Sequence, residues 1–151
     1  MNGYDFKKTE SWFLKSDSFT IEVKHWYTKG KILNSSEMIF DKNGITHRWN
    51  VYVYVFPEHP FFNKLVENLN DNYPYLEELH YGCTYCNWVY DVSGKVKVKQ
   101  YGSDYAHLHD EHFEDCDNEN HPAAREIFFD AERLYDSFKE AENKKQGEIN
   151  E

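Results

Sequence analysis

The stretch HRWNVYVYVF, residues 47–56, is the most strand-like part of the chain. Its residues are β-branched or aromatic on both faces of an extended strand, a pattern typical of a central strand that is covered on both sides. Pro57 and Pro60 follow and end it, because proline cannot donate to a sheet ladder. We therefore expect a sheet built around residues 47–56.

Further strands flank this central one. FTIEVKHWY, residues 19–27, alternates apolar and polar positions, which predicts a half-buried strand. TKGK (28–31) is read as a turn, SSEMIF (35–40) as a second short strand, and DKNG (41–44) as the next turn. The N-terminal strands are thus predicted within residues 19–56.

Residues 85–100 predict a hairpin that turns at Ser93–Gly94. With a two-residue turn, an aromatic row would face a row of lysines, and Val89 would face Val98. The two rows are Trp88, Tyr90 and Val92 opposite Lys99, Lys97 and Lys95. One interpretation is an exposed hairpin whose lysine stems cover the rings; the other is a surface for a planar or anionic ligand.

Two helices are predicted. PFFNKLVENLND, residues 60–71, has helical spacing of its apolar positions and predicts a short middle helix. The clearest helix covers residues 122–141, with Asn120 as its cap and Pro122 in its first turn. Its apolar stripe is predicted to be core: Ile127, Ala131, Leu134 and Phe138, with Phe128 and Tyr135 beside it.

These elements predict one α+β domain over residues 1–142. It would be a mainly antiparallel sheet with a short middle helix and a long C-terminal helix packed on it. Residues 143–151 are expected to form a disordered tail.

Composition limits the partners. The 151 residues carry 17 Lys and Arg against 27 Asp and Glu, a formal net charge of −10. This charge disfavours direct nucleic-acid binding or an anionic membrane surface, and it suits a basic protein surface or a divalent metal. With no apolar run of about 18 residues and no secretory signal, we expect a cytoplasmic protein with reduced cysteines.

GSDYAHLHDEHFEDCDNENH, residues 102–121, holds seven carboxylates, four histidines and one cysteine. Asp104, His107 and Asp110 follow one another at intervals of three, and on a helical turn they would share one face. Together with His80 they could hold a divalent metal, zinc or magnesium or manganese, or form a His–Asp general base with His80, His107 and Asp104 as catalytic candidates. The alternative is that they cap turns and bond backbone amides.

The second half of this stretch lacks such spacing and predicts a solvated acidic face. Its carboxylates are the predicted partner-binding surface: Glu111, Glu114, Asp115 and Asp117.

Cys83 and Cys86 offer a further alternative, because two thiolates three residues apart can chelate one zinc ion. The remaining ligands would come from His107, His109, His112 or Cys116.

WNVYVYVFPEHP, HYGCTY and YGSDYAHLHD, in this order, resemble a family of small uncharacterised proteins common in phages and prophages, over residues 47–140. Tyr81 stands where that pattern has the first of two glycines, Ser103 where it has Phe, and Cys83 and Cys86 fall outside it. The matching positions are Trp49, Tyr52, Val53, Pro57, His59, Pro60, His80, Gly82, Thr84, Tyr85, Gly102, Asp104, His107 and Asp110.

The resemblance implies no activity, but it implies a phage setting and hence the host cytosol. We therefore expect a non-catalytic binder that inhibits a host defence protein through a basic surface of that protein, or that traps a small ligand. The alternative is a metal-dependent hydrolase of a nucleotide or phosphoester. The predicted ligand-binding residues are Trp49, His59, His80, Thr84, Tyr85, Asp104 and His107.

Overall fold

The structure of the protein is a computed structural model that describes residues 9–29, 31–34, 37–39 and 45–150. Its elements in chain order are β1 (Glu10–Lys15), β2 (Phe19–Lys29), β3 (Lys31–Asn34), β4 (Glu37–Ile39), β5 (Ile45–Val55), a 3₁₀ turn (Leu69–Asp71), β6 (Tyr85–Tyr90), β7 (Val96–Asp104), a second 3₁₀ turn (Glu111–Phe113) and α1 (Ala124–Asn150).

The sheet is centred on β5. Five antiparallel strands lie in the order β1-β2-β5-β7-β6, and β5 pairs with β2 along its whole length. On the face of β5 toward α1, Trp49, Val51, Val53 and Val55 are buried, whereas Tyr52 and Tyr54 on the other face are half-buried. The predicted single α+β domain with a largely antiparallel sheet is confirmed, and its central strand is more deeply buried on the face toward α1.

Strands β3 and β4 form a separate two-stranded ladder. The predicted strand 35–40 corresponds to β4, which covers Glu37–Ile39. The predicted turn 41–44 lies outside the described residues. Among the described residues, no helix combines the length and apolarity needed to cross a bilayer.

Helix α1 lies on the buried face of the sheet through the predicted stripe. Ile127, Ala131, Leu134 and Phe138 are at most 2% exposed, so the stripe is confirmed. Burial of this stripe supplies most of the stability of the helix, since propensity alone rarely suffices.

Both predicted ends of α1 are wrong. The helix begins at Ala124, and the ring nitrogen Nδ1 of His121, in place of Asn120, accepts the backbone N–H of Ala123. It continues to Asn150, so residues 143–150, expected to be disordered, are helical. Before this extension, the carboxylate of buried Glu142 accepts hydrogen bonds from Ser16 and Ser18 and ties the helix to the start of the sheet.

The predicted middle helix does not form, and the segment contains only turns and the 3₁₀ turn Leu69–Asp71. Side chains outside the segment form hydrogen bonds with its backbone N–H and carbonyl groups. Asn72 accepts from the N–H of Val66 and donates to the carbonyl of Val66, while the Lys99 amine donates to the carbonyls of Phe62 and Leu65. Phe62 and Leu65 are still buried, as their apolar spacing requires.

The hairpin of β6 and β7 confirms two predicted pairs, Trp88 with Lys99 and Val89 with Val98. A bulge then places Tyr90 opposite Val96, so the predicted two-residue turn and the pairing of Tyr90 with Lys97 are wrong. The cause is Asp91, whose carboxylate accepts the N–H groups of Ser93 and Lys95 and closes a wider turn.

The predicted lysine row is broken at Lys99. Its side chain is buried, with the amine 2.6 Å from the carbonyl of Phe62 and 4.3 Å from the Trp88 ring centre. Because this amine is already bonded and covered, it cannot contribute to the predicted surface for an anionic ligand.

Candidate functional site

Three ligating side chains meet where β6 begins and β7 ends. His80 comes from the loop before β6, whereas His107 and Asp110 come from the loop after β7. The pairing of Tyr85 with Gly102 brings these two loops side by side. One ligating atom from each of His80, His107 and Asp110 lies within 4.8 Å of the other two.

The pair His80 and Asp110 is the rigid part of this site. Nε2 of His80 lies 2.9 Å from both Oδ1 and Oδ2 of Asp110, whose side chain is 3% exposed. Oδ2 of Asp110 also accepts the backbone N–H of His107 at 2.9 Å. The His80 ring stacks on Tyr105 with ring centres 4.2 Å apart, so its position is fixed by a carboxylate and an aromatic face.

His107 presents a buried nitrogen to two carboxylates. Its Nδ1 lies 3.5 Å from Oδ1 of Asp104 and 3.6 Å from Oδ2 of Asp110, and it makes no hydrogen bond with any described residue. Ligand atoms around a tetrahedral zinc ion are about 3.4 Å apart, since each lies about 2.1 Å from the metal. The separation between Nδ1 of His107 and Oδ2 of Asp110 is close to this value, whereas Nε2 of His80 lies at hydrogen-bond distance from the same carboxylate.

Asp104 lies at the edge of this arrangement. Its side chain is 46% exposed and accepts the backbone N–H of Ala106, and it is not one of the three converging ligands. A helical turn, on which Asp104, His107 and Asp110 would share one face, does not form, because the segment is a loop in which His109 has a φ of 71°. That loop buries the side chain of Asp110 and leaves the side chain of Asp104 exposed at the mouth of the site, which is its solvent-facing edge.

A second group of ligands, which the sequence did not suggest, surrounds His80 on the helix side. Ligating atoms of His80, Glu126 and Asp130 also lie within 4.8 Å of one another. Asp130 accepts the hydroxyl of Tyr105 at 2.6 Å; burial first, and then this bond, raises the pKa of Tyr105 far above its usual range. The available signal was the spacing of Glu126 and Asp130, four residues apart on a predicted helix.

Two of the predicted ligand-binding residues, Trp49 and His59, are buried and make structural hydrogen bonds. Trp49 is 1% exposed and its Nε1 donates to the carbonyl of Cys116. His59 is 2% exposed, with Nδ1 accepting from the N–H of Phe61 and Nε2 donating to the carbonyl of Phe138. Every side-chain polar atom of both is bonded inside the core, so none is left for a ligand.

Thr84 and Tyr85 lie at the start of β6 and are exposed. The backbone N–H of Thr84 donates to the carbonyl of Gly102, and the Tyr85 ring packs edge-on against Tyr52. Neither belongs to the two ligand groups around His80, and their role in ligand binding stays a prediction.

The predicted zinc site at Cys83 and Cys86 is not assembled. No group of three ligating atoms found in the described residues includes a cysteine. Cys83 bonds the carbonyl of Tyr85, and Cys116 lies buried in the core. Burial raises the pKa of all three thiols, that of Cys116 to about 11, which keeps them protonated at neutral pH.

The predicted acidic surface is largely solvent-facing. Glu111, Asp115 and Asp117 are exposed. Glu114 is half-buried, and its carbonyl accepts the backbone N–H of His47, which ties this loop to the end of the sheet.

Comparisons with protein-family models, curated proteins and solved structures find no match to this chain. The resemblance to a phage family therefore stays a prediction from the residues quoted above. At one of the positions where this chain departs from that pattern, Tyr81 has a left-handed φ of 56° and is followed by Gly82 with a φ of 81°. Glycine adopts this conformation without steric cost.

Proposed function

We propose that this protein is a divalent-metal-dependent hydrolase of phosphoesters, with the metal held by His80, His107 and Asp110. The observation that supports it is the buried Nδ1 of His107, which lies 3.6 Å from Oδ2 of Asp110 and makes no hydrogen bond with any described residue. Two histidines and one carboxylate are a common ligand set for zinc, manganese and iron, and they leave coordination positions for water and substrate.

The chemistry assigns a role to each residue. A bound divalent ion would supply an activated water molecule and would offset the charge of a phosphate group. Asp104, exposed at the mouth and 3.5 Å from His107, would accept the proton of the attacking water. In the reaction the water oxygen bonds to phosphorus, the ester P–O bond breaks, and the leaving oxygen takes up a proton.

The charges around His80 make this function depend on the metal. Four carboxylates surround the site, those of Asp104, Asp110, Glu126 and Asp130. Without a cation they would repel a phosphoester, whereas a bound divalent ion offsets two of these charges. We therefore expect neither substrate binding nor turnover in the presence of a chelator.

The test begins with metal content. The chelator-treated protein is titrated with zinc and with manganese by calorimetry, and hydrolysis of bis(p-nitrophenyl) phosphate is measured before and after reloading. We expect one ion per chain and metal-dependent turnover, with metal affinity reduced at least about tenfold in His107→Ala. His112→Gln is the matched control, since the His112 side chain is 55% exposed and lies outside both ligand groups.

A second pair of variants tests which of the two ligand groups binds the metal. Glu126→Gln and Asp130→Asn should leave metal affinity within about threefold of the wild type. If they abolish metal binding while His107→Ala retains it, the ion binds on the helix side of His80. If the wild type takes up neither metal, or if turnover survives chelation, the proposed function is wrong.

A second candidate function rests on the exposed carboxylates Glu111, Asp115 and Asp117 in a chain of net charge −10. This surface suits a binder that occupies a basic surface of a host protein in the cytosol and inhibits it without turnover. Such electrostatic complementarity speeds association and falls with ionic strength.

The test of this candidate compares two triple variants of equal charge. One neutralises Glu111, Asp115 and Asp117; the other neutralises Glu132, Asp136 and Glu140, which are exposed on α1. If the candidate is correct, one basic host protein binds stoichiometrically to the wild type and to the α1 variant but not to the loop variant. Equal retention by both variants would contradict it.

A further inference from the structure

Tyr81 is an exposed aromatic side chain on an unfavourable backbone. It is 66% exposed and has a φ of 56°, a left-handed conformation that costs a bulky residue on the order of 1 kcal/mol or more. The turn itself does not need this side chain, because glycine would adopt the same conformation at lower cost. The tyrosine therefore calls for an explanation other than folding.

The ring of Tyr81 lies against the proposed metal ligands. Its centre is 4.5 Å from the ring centre of His80 and 5.1 Å from that of His107. Tyr81 belongs to the same loop before β6 as His80.

A cavity of about 180 Å³ also uses Tyr81 as a wall. Its other walls include the apolar side chains of Leu69 and Leu76, the ring of Tyr73, which is 76% exposed, and Asn70. Tyr81 thus contacts two of the proposed metal ligands and also lines a cavity whose walls are partly apolar and partly polar.

We propose that the substrate is a nucleoside phosphate, whose base stacks on Tyr81 and enters this cavity while its phosphate binds at His80, His107 and Asp110. The proposal rests on the metal-dependent function proposed above. A nucleobase is planar and apolar on its faces, and stacking on an aromatic side chain contributes about 1–3 kcal/mol. The exposed amide of Asn70 can donate to and accept from the polar edge of a base.

The carboxylates around the site make binding of a nucleoside phosphate depend on the metal as well. Glu77, another exposed residue, lines the cavity, and the carboxylates of Asp104 and Asp110 lie next to His107. A nucleoside phosphate brings further negative charge, so base stacking alone should not hold it. Binding should be undetectable in chelator and should appear on addition of manganese.

The experiment titrates manganese-loaded full-length protein with adenosine 5′-monophosphate and with ribose 5-phosphate, which lacks the base. We expect the wild type to bind the nucleotide at least about tenfold more tightly than the sugar phosphate, in line with one stacked base. Tyr81→Gly should abolish this preference, so that the ratio of its affinities for the two probes falls to about one. Tyr81→Phe, which keeps the aromatic face, should retain the preference.

Manganese uptake by each variant is measured first, and thermal unfolding checks that Tyr81→Gly is folded, since glycine suits the backbone at this position. Equal affinity of the wild type for the two probes, or a preference retained in Tyr81→Gly, would overturn the proposal while leaving the metal site intact. Failure of the wild type to bind manganese or zinc would instead overturn the proposed function and this proposal together.

Discussion

Nε2 of His80 lies 2.9 Å from both carboxylate oxygens of Asp110, and the same carboxylate accepts the backbone N–H of His107. One buried side chain therefore connects the loop before β6 to the loop after β7. Because Asp110 is 3% exposed, these bonds are shielded from bulk water. The position of both histidines depends on this carboxylate.

Asp110→Asn should loosen both loops. Asparagine is uncharged and has an amide nitrogen in place of one carboxylate oxygen, so the hydrogen bonds that link residue 110 to the His80 ring and to the His107 N–H lose their charge assistance, which costs about 1–3 kcal/mol of unfolding free energy. Metal affinity should fall about 10–100-fold. Urea unfolding of the metal-free protein and calorimetric zinc titration measure the two effects. Asp117→Asn, at an exposed position, should change neither by much, and equal behaviour of the two variants would contradict this account.

Gly102→Ala should destabilise the sheet below the candidate site. An added Cβ would overlap the Tyr52 ring and would lie 2.8 Å from the carbonyl oxygen of Val51, which cannot move without breaking the ladder of β5 and β7. We expect a loss of about 1–3 kcal/mol or more in unfolding free energy.

The control is Gly147→Ala, since nothing lies within 4 Å of an added Cβ at this helical position. It should be neutral or stabilise by up to about 1 kcal/mol. Thermal unfolding of both variants decides the comparison, and a Gly102→Ala protein as stable as the wild type would refute the steric argument.

Three histidines should make the protein sensitive to mild acid. Burial lowers the pKa of His25, His47 and His59. Nε2 of His25 lies 2.9 Å from Nδ1 of His47, so protonation of one ring opposes protonation of the other. The unfolded chain takes up these protons below the ordinary value of 6.5, before the folded protein does. Stability is therefore fully present above that pH and falls as the pH drops through the lowered values.

Urea unfolding at pH 7, 6 and 5 measures this loss, with a slope of up to about 1.4 kcal/mol per pH unit for each proton. His47→Gln should flatten the dependence, whereas His112→Gln, at an exposed position, should leave it unchanged. A wild-type protein equally stable at pH 7 and pH 5 would show that these groups do not control folding.

Glu142 should stabilise the contact between α1 and the start of the sheet. Burial alone would raise its pKa, but bonds from Ser16, Ser18 and Lys139 outweigh burial and hold the pKa at about 2. Its contribution is therefore complete above about pH 4.5, the ordinary value for Glu, and is lost as the pH falls toward 2.

Glu142→Gln should lower the unfolding free energy at pH 7 by about 1–3 kcal/mol and should weaken its pH dependence between 4.5 and 2. Glu140→Gln is the matched control, because its exposed pair with Lys144 contributes little. Denaturant titrations across this pH range provide the measurement. An unchanged acid transition in Glu142→Gln would contradict the assignment.

Sequence spacing alone failed in two places, for the same reason. Residues 60–71 have helical apolar spacing, yet they form turns whose backbone groups are bonded by Asn72 and Lys99. Asp104 and Asp110 would share one face on a helical turn, yet the loop between them buries one and exposes the other. In both cases residues distant in sequence, or a backbone conformation that spacing does not encode, decided the outcome.

The sequence by itself determined the α+β class, the central strand β5 and the apolar stripe of α1, because these follow from local periodicity and burial of apolar side chains. It also identified His80, His107 and Asp110 as candidate ligands. Only the tertiary structure decided which of the candidates converge, and it added Glu126 and Asp130. The physical reason is that strand pairing brings together loops from distant parts of the chain. The spacing of residues within one segment does not predict that pairing.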